Sequence, residues 1–181
     1  NFYTKFSVGI LEEYFGGFGF ETLYRPFDKN WGIGVEAWRV QQRDYNLNLK
    51  FRDYKTTTGY INMYYREPKS KVFFVMTGGR FLAEDSGILV DISRQFASGV
   101  NIGVFAALTD ISKEEFGEGS FDKGFYFEIP LNVFQANSGK GFTNFTIQPL
   151  TRDGGAKLKT SNPLIYSIIS GTESDYNFYL D

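Results

Sequence analysis

The chain has 181 residues with 19 Lys plus Arg against 21 Asp plus Glu, a net charge of −2. That length allows one domain with its own core, and the balance points away from nucleic acid. Neither cysteine nor histidine occurs, which excludes a disulfide framework, a thiol nucleophile, a Ser-His-Asp arrangement and the commonest transition-metal ligand.

Helical periodicity is nearly absent, and alternation with period two recurs along the chain. It predicts strands at roughly 2–14, 18–27, 31–45, 55–67, 71–84, 87–97, 100–110, 123–134, 141–150 and 163–170, with a remnant of an eleventh at Tyr176, Phe178 and Leu180. Each segment is about 9–13 residues, longer than the ~5–6 of a usual globular strand and close to the ~9–11 that a tilted strand needs to cross a bilayer. Gly16-Gly17, Asp28-Lys29-Asn30, Lys69-Ser70, Asp85-Ser86 and Ser98-Gly99 carry tight-turn chemistry. Longer polar connections are expected at 46–54, 112–122 and 151–162. The fold class is therefore all-β, an antiparallel up-and-down meander of about ten strands. No stretch of 18 residues is free of charge, so no transmembrane helix is expected. The chain begins at Asn1 without a charged n-region or apolar h-region, and reads as a single-domain mature or internal piece of a longer protein.

The two faces of these strands differ sharply. One reads Phe6-Val8-Ile10, Phe18-Phe20, Trp31-Ile33-Val35, Ile61-Met63-Tyr65, Phe73-Val75, Ile88-Val90-Ile92, Ile102-Val104-Ala106-Leu108 and Phe125-Phe127-Ile129. The other carries Lys5, Glu21, Glu36, Arg66, Arg80, Asp91 and Glu128 among glycines and amides. A soluble sandwich or lipocalin-like barrel would turn the apolar set inward; a membrane barrel would turn it toward lipid. Partly complementary charges suit a crowded polar lumen. Aromatics near segment ends (Tyr14, Phe15, Phe27, Trp31, Tyr45, Phe81, Phe96, Phe134) resemble interfacial girdles. The expectation is a transmembrane β-barrel, or an arc of a larger one, with Glu21, Glu36, Arg66, Arg80, Asp91 and Glu128 as lumen charges. If ten strands close alone, side chains fill the lumen; wide aqueous channels need about 16 strands.

Three stretches hold residue types with chemistry. Arg-Asp-Tyr occurs twice, at Arg43-Asp44-Tyr45 and Arg52-Asp53-Tyr54; Arg-Asp pairs form charge-assisted bonds, and tyrosines offer flat faces for a sugar ring. A polar hairpin tip with local ion pairs accounts for the same residues. The stretch 110–122 holds Asp110, Glu114, Glu115, Glu118 and Asp122, carboxylates that suit glycosidic cleavage or Ca²⁺, although the spacing fits no EF-hand and a solvated loop explains it as well. Gly78-Gly79, inside a strand, marks a bend or a close backbone approach, and a sharp barrel corner is the expected reason. Lipases and lipid A deacylases are disfavoured by the missing histidine.

These stretches also carry a resemblance. "GFGFETLYRPFDKNWGIGVE", "QQRDYNLNLKFRDYKTTTGY", "GRFLAEDSGILVDISRQFASGVNIGVFAALTD" and "EEFGEGSFDKGFYFEIPL" resemble the YjbH (GfcD-like) family, over roughly residues 8 to 155. The resemblance implies an outer-membrane β-barrel of a Gram-negative envelope, often a lipoprotein, tied to exopolysaccharide or capsule assembly or export, and it supplies no catalytic residues to carry over. A lipid anchor would lie on a preceding part of the chain, since no lipobox cysteine is present. The expected role is non-enzymatic and without cofactor, with outer-membrane lipid, exopolysaccharide and other polysaccharide-export proteins as partners. The alternatives are a soluble carbohydrate-binding barrel and an envelope enzyme acting on glycan. Candidate binding residues are Arg43, Asp44, Tyr45, Arg52, Asp53, Tyr54, Glu114, Glu115, Glu118 and Asp122. The short turns near 29, 70 and 98 should share one end, expected to be periplasmic. The loops near 48 and 116 should share the other.

Overall fold

A computed structural model describes residues 1–27, 29–46, 49–111, 121–131, 142–148 and 154–169. Nine strands form one antiparallel sheet in chain order, a pure meander. They are β1 (Phe2–Ile10), β2 (Phe15–Tyr24), β3 (Trp31–Arg43), β4 (Phe51–Arg66), β5 (Val72–Arg80), β6 (Ser86–Gln95), β7 (Asn101–Thr109), β8 (Asp122–Pro130) and β9 (Phe142–Ile147). The one helix among the described residues is α1 (Leu164–Ile169). Because every connection joins neighbours, the turns alternate between two ends. We call end A the one with the connections near 12, 47, 83 and 115, and end B the one with those near 28, 69, 98 and 136. The expected grouping of the turns near 29, 70 and 98 at one end follows from this topology.

Turn chemistry decides several boundaries. Gly99 sits at φ 81° and donates to Phe96 O, closing the β6–β7 turn. Between β4 and β5, Lys71 has φ 58° and donates its N–H to Glu67 O, while the Glu67 carboxylate accepts from Ser70 N and Oγ. Gly16-Gly17, in contrast, is not a turn: both glycines lie in β2, and the reversal falls at 11–14, where Phe15 O accepts from Leu11 N and Glu12 N. The glycines serve close approach instead, since a Cβ on Gly17 would stand 2.1 Å from Arg39 O. Gly79 likewise lies against β4, where a Cβ would meet Gly59 O at 2.0 Å. The expected strand at 163–170 is helix α1. LIYSII is apolar at both parities, so alternation there is uninformative, and Pro163 supplies a helix-compatible φ and the carbonyl that accepts from Tyr166 N and Ser167 N. The eleventh strand expected at 176–180 lies outside the described residues, as does Phe134.

The apolar face points outward and is exposed from β1 to β9. Phe6 is 80% exposed, Val8 85%, Ile61 59%, Val104 52% and Ile147 58%. The polar face is the inner one: Glu21, Glu36, Thr56, Thr58, Asn62, Thr77 and Ser93 are buried. Strand β5 corrects the expected faces. Phe74 and Met76 point outward and Thr77 inward, with Phe73 stacked on Tyr64 inside at 6.2 Å. Val72 to Met76 are apolar at both parities, so either register fits the pattern. Arg80 therefore falls on the outer side, where it pairs with Glu84 at 3.1 Å, both about half exposed, and takes no part in the lumen.

Inside the sheet runs the chain's own segment 154–169. Ala156 O accepts from Leu82 N near end A, and Asn162 O accepts from Lys5 Nζ on β1. The Tyr166 ring meets Phe73 of β5 at 6.0 Å. One segment reaches β1 and β5 alike, so the sheet curves around it as a trough. At end A, Leu11, Phe15, Trp38, Val40, Tyr60, Phe81, Leu82 and Leu158 form an apolar cluster inside the trough. Phe15 and Phe81 thus belong to this cluster and not to an exterior girdle. Glycines on the inner face let aromatic rings lie across them: a Cβ on Gly19 would stand 2.4 Å from Trp38 Cε3, and one on Gly103 2.2 Å from Tyr126 Cζ.

Candidate functional site

The trough is built on buried charge. Glu36 accepts from Trp38 Nε1 and Asn62 Nδ2, both at 2.8 Å, and pairs with Lys157 at 2.7 Å. Lys157 also donates to Asn62 Oδ1 at 2.9 Å, an oxygen that Thr77 Oγ1 approaches at 2.7 Å. Strands β3, β4 and β5 are thereby tied to the filling segment through one ammonium. A second anchor is Glu21, which pairs with Lys5 at 3.0 Å and accepts from Thr160 Oγ1 and Leu164 N. Third, Asp85 accepts from Gly155 N at 2.7 Å. Burying a carboxylate is costly unless it is paired and hydrogen-bonded; Glu21 and Glu36 are both, whereas Asp85 leaves Oδ1 buried without a hydrogen bond among the described residues.

The expected lumen residues divide accordingly. Glu21, Glu36, Asp91 and Glu128 do face inward. Asp91 accepts from Tyr126 Oη at 3.0 Å and Glu128 from Asn101 Nδ2 at 2.8 Å, beside a cavity of about 460 Å³ reached also by Asn144 and Tyr166. Arg66 lines a cavity of about 540 Å³ at the end-B mouth with Lys71 and Gln95. Lys5, expected on the polar face, pairs with Glu21. The partner of Glu36 is Lys157, which alternation does not single out because it lies outside every strand; the small residues in Gly154-Gly155-Ala156, which allow close entry into a crowded lumen, are the available signal.

The mouth at end A gathers the Arg-Asp-Tyr residues. Arg43 is buried and donates to Glu13 O at 2.7 Å, while its N–H donates to Tyr14 O; it fastens the β1–β2 turn to β3 and is not a surface ligand. Asp44 closes the loop by donating its N–H to Lys50 O. Arg52, Asp53 and Tyr54 lie within β4 and not in a polar loop. The Arg52 guanidinium stacks 4.2 Å from the Tyr45 ring centroid. Tyr54 donates to Leu82 O at 2.6 Å and meets the Phe15 ring edge-on at 6.5 Å. Tyr14, Tyr45, Tyr54, Glu12 and Gln42 surround a recess of about 700 Å³ over the apolar cluster. Burial pushes the Glu12 carboxyl up, although the Lys159 amide donates to it at 2.7 Å. Asp122 sits apart, beside Gly155 and the 460 Å³ cavity. Glu114, Glu115 and Glu118 lie outside the described residues. Among the described residues no group of three acidic side chains is placed to hold a metal.

Two comparisons bear on this arrangement. A family model described as "Exopolysaccharide biosynthesis protein YbjH" matches residues 1–170. An uncharacterised lipoprotein, YjbH of Escherichia coli (strain K12), is 41% identical over 161 residues, covering 87% of this chain and 23% of its own length. This chain thus spans about a quarter of that relative. No solved structure matches. With a family match over nearly the whole chain, the chain belongs to the YjbH family of exopolysaccharide biosynthesis proteins.

Proposed function

We propose that this chain forms a wall of a transmembrane β-barrel in the Gram-negative outer membrane, acting without catalysis in exopolysaccharide assembly or export. The observation that carries this reading is the outer face: apolar on every strand and bounded at end B by an aromatic belt. Phe2 opposes Tyr24, Trp31 opposes Tyr65 and Tyr65 opposes Phe74 across neighbouring strands, and the Tyr24 and Trp31 rings lie 5.9 Å apart. On β3 and β4 the same face turns polar toward end A, with Arg39 donating to Thr57 and Gln41 to Arg52 O. Between Trp31 and Ala37 the apolar stretch of β3 runs about 20 Å along the strand at ~3.3 Å per residue, which a tilt of ~35–45° reduces to roughly 15 Å along the membrane normal, part of the ~25 Å band of outer-membrane barrels. In water each exposed large side chain forfeits roughly 1.5–3 kcal/mol of burial, and a patch of this extent marks a surface with a partner.

Strands β1 and β9 run in the same direction, as the ends of any nine-strand meander must. An all-antiparallel closure therefore needs an odd number of further strands, and a bilayer tolerates no open edge. The relative's length leaves room for them. Neither histidine nor cysteine is available for catalysis; Glu21, Glu36 and Asp85 hold segment 154–169, and Asp91 and Glu128 accept from Tyr126 and Asn101. The reading places end B in the periplasm and end A outside. The test is cysteine labelling on intact cells. A cysteine at Asn46 should react with an impermeant maleimide and one at Ser98 should not. Equal labelling of both, or release of the protein without detergent, overturns the reading.

A further inference from the structure

We infer that the recess at the end-A mouth, bounded by Tyr14, Tyr45 and Tyr54, is a subsite for a pyranose ring of the exported polysaccharide. The inference rests on the proposed exopolysaccharide role but not on the membrane barrel. A volume of about 700 Å³ lies within the ~300–1,000 Å³ of small-ligand pockets and admits a short oligosaccharide. What distinguishes this recess is its mixture of exposed ring faces with hydrogen-bonding groups. Tyr45 is 65% exposed, Tyr14 43% and Tyr54 39%, and the Gln42 amide and Glu12 carboxyl stand beside them. A pyranose offers a C–H face to an aromatic ring and a rim of hydroxyls to amides and carboxyls, which is the same division of surface. Two further cavities also join rings to polar groups, Tyr126 and Tyr166 beside Glu128 and Asn144, but there the Tyr126 ring is half-buried across Gly103 and does not offer an open face; the cavity over Phe6, Val8 and Phe18 lies on the outer apolar face.

The recess is also rigid. Tyr54 is pinned through its hydroxyl to Leu82 O and through its ring to Phe15. Tyr45 is backed by the Arg52 guanidinium. Arg43 holds the carbonyls of Glu13 and Tyr14, so the Tyr14 turn keeps its place beside β3. Rings fixed before a ligand arrives lose little freedom when it binds. The floor is the apolar cluster with Leu82 and Ala156, which closes the recess from below and keeps water from the stacked face. Arg43 is in this sense a positioning residue, and the tyrosines are the contact residues.

The experiment uses the full-length protein in detergent, titrated calorimetrically with oligosaccharides released by partial acid hydrolysis from the exopolysaccharide of the producing bacterium. Maltohexaose serves as a neutral comparator. Saturable binding is expected, weakened about tenfold by Tyr45→Ala and by Tyr14→Ala, and unchanged by Ser98→Ala at the opposite mouth. Both tyrosines are substantially exposed, so these variants keep the fold; circular dichroism and unchanged detergent behaviour check it. Tyr54→Phe, which keeps the ring and loses the bond to Leu82 O, should weaken binding less than Tyr45→Ala does. Equal binding of maltohexaose supports a site that reads ring faces alone, and preference for the released oligosaccharides supports one that also reads their substituents. No saturable binding of the released oligosaccharides, or binding untouched by both alanine variants, overturns the inference. Protein that binds yet stays soluble without detergent would refute the barrel and leave the subsite standing, whereas a lipid-inserted protein that fails to bind refutes the subsite alone.

Discussion

Replacing Lys157 with methionine tests whether segment 154–169 is held by charge. The side chain of Glu36 is 6% exposed and that of Lys157 22%. Methionine preserves most of the stem volume and removes the ammonium. Glu36 then keeps two neutral donors, Trp38 Nε1 and Asn62 Nδ2, but loses its counter-charge. Removing one member of a buried pair costs about 3–5 kcal/mol because the other charge stays desolvated. The cavity of about 190 Å³ beside Glu36 and Lys157 gives water some access, so the lower end, about 3 kcal/mol, is expected. The double variant Lys157→Met with Glu36→Gln removes both charges and leaves a neutral acceptor for Asn62 and Trp38, at a cost of about 1 kcal/mol. Glu36→Gln alone also costs stability, since it leaves the Lys157 ammonium without its counter-charge, so the coupling between the two positions is at least about 2 kcal/mol. Urea unfolding in detergent, followed by Trp38 fluorescence in a Trp31→Phe background, measures it locally, because the Trp38 indole donates to Glu36. A Lys157→Met variant within about 0.5 kcal/mol of its parent, or a double variant costing as much as the two single ones together, would refute the reasoning.

Other outcomes are as specific. Gly103→Val puts a side chain where the Tyr126 ring lies; it should break the Tyr126–Asp91 bond and cost about 1–3 kcal/mol by overpacking, read by the same urea titration. In the β4–β5 turn, the Ser70 donors hold the Glu67 carboxyl below its usual range. Its contribution is therefore present above the ordinary pKa of 4.5 and lost as pH falls through the depressed folded value. Amide exchange at Ser70 should accelerate on acidification in the parent, and should already be fast and insensitive to pH in that window in Glu67→Gln, once intrinsic exchange is divided out. Arg43→Met should loosen the β1–β2 turn and weaken oligosaccharide binding several-fold while leaving lipid insertion intact, with detergent extraction as the control.

Most of the sheet was legible because one face of each strand is apolar and the other is not. The legible parts are the strands whose parities differ, such as Ile88-Val90-Ile92 against Asp91-Ser93. Where both parities are apolar, as at Val72–Met76 and Leu164–Ile169, alternation cannot assign a face or even a strand, and neighbours decided instead. Gly16-Gly17 illustrates a second limit. Glycine signals freedom of φ and absence of bulk equally, and only the packing against Arg39 O shows which is used. At the mouth, the doubled Arg-Asp-Tyr singles out Tyr45 and Tyr54, which border the recess. Nothing local marks Tyr14, Gln42 and Glu12 as their neighbours, because strand pairing at the β2–β3 end brings them together. Lys157 was hidden for the same reason, since its partner Glu36 lies far away in the chain and close only in the curved sheet.

The two tryptophans allow the most direct test of the outward apolar face. Trp31 stands in the end-B belt and is 40% exposed, whereas Trp38 is 1% exposed inside the trough. In vesicles containing lipids brominated near the headgroup end of the acyl chain, fluorescence of a Trp38→Phe protein should be strongly quenched, and that of a Trp31→Phe protein should persist while resisting aqueous iodide. Quenching of Trp31 by iodide but not by brominated lipid would place the apolar face in water or against protein and contradict the membrane assignment.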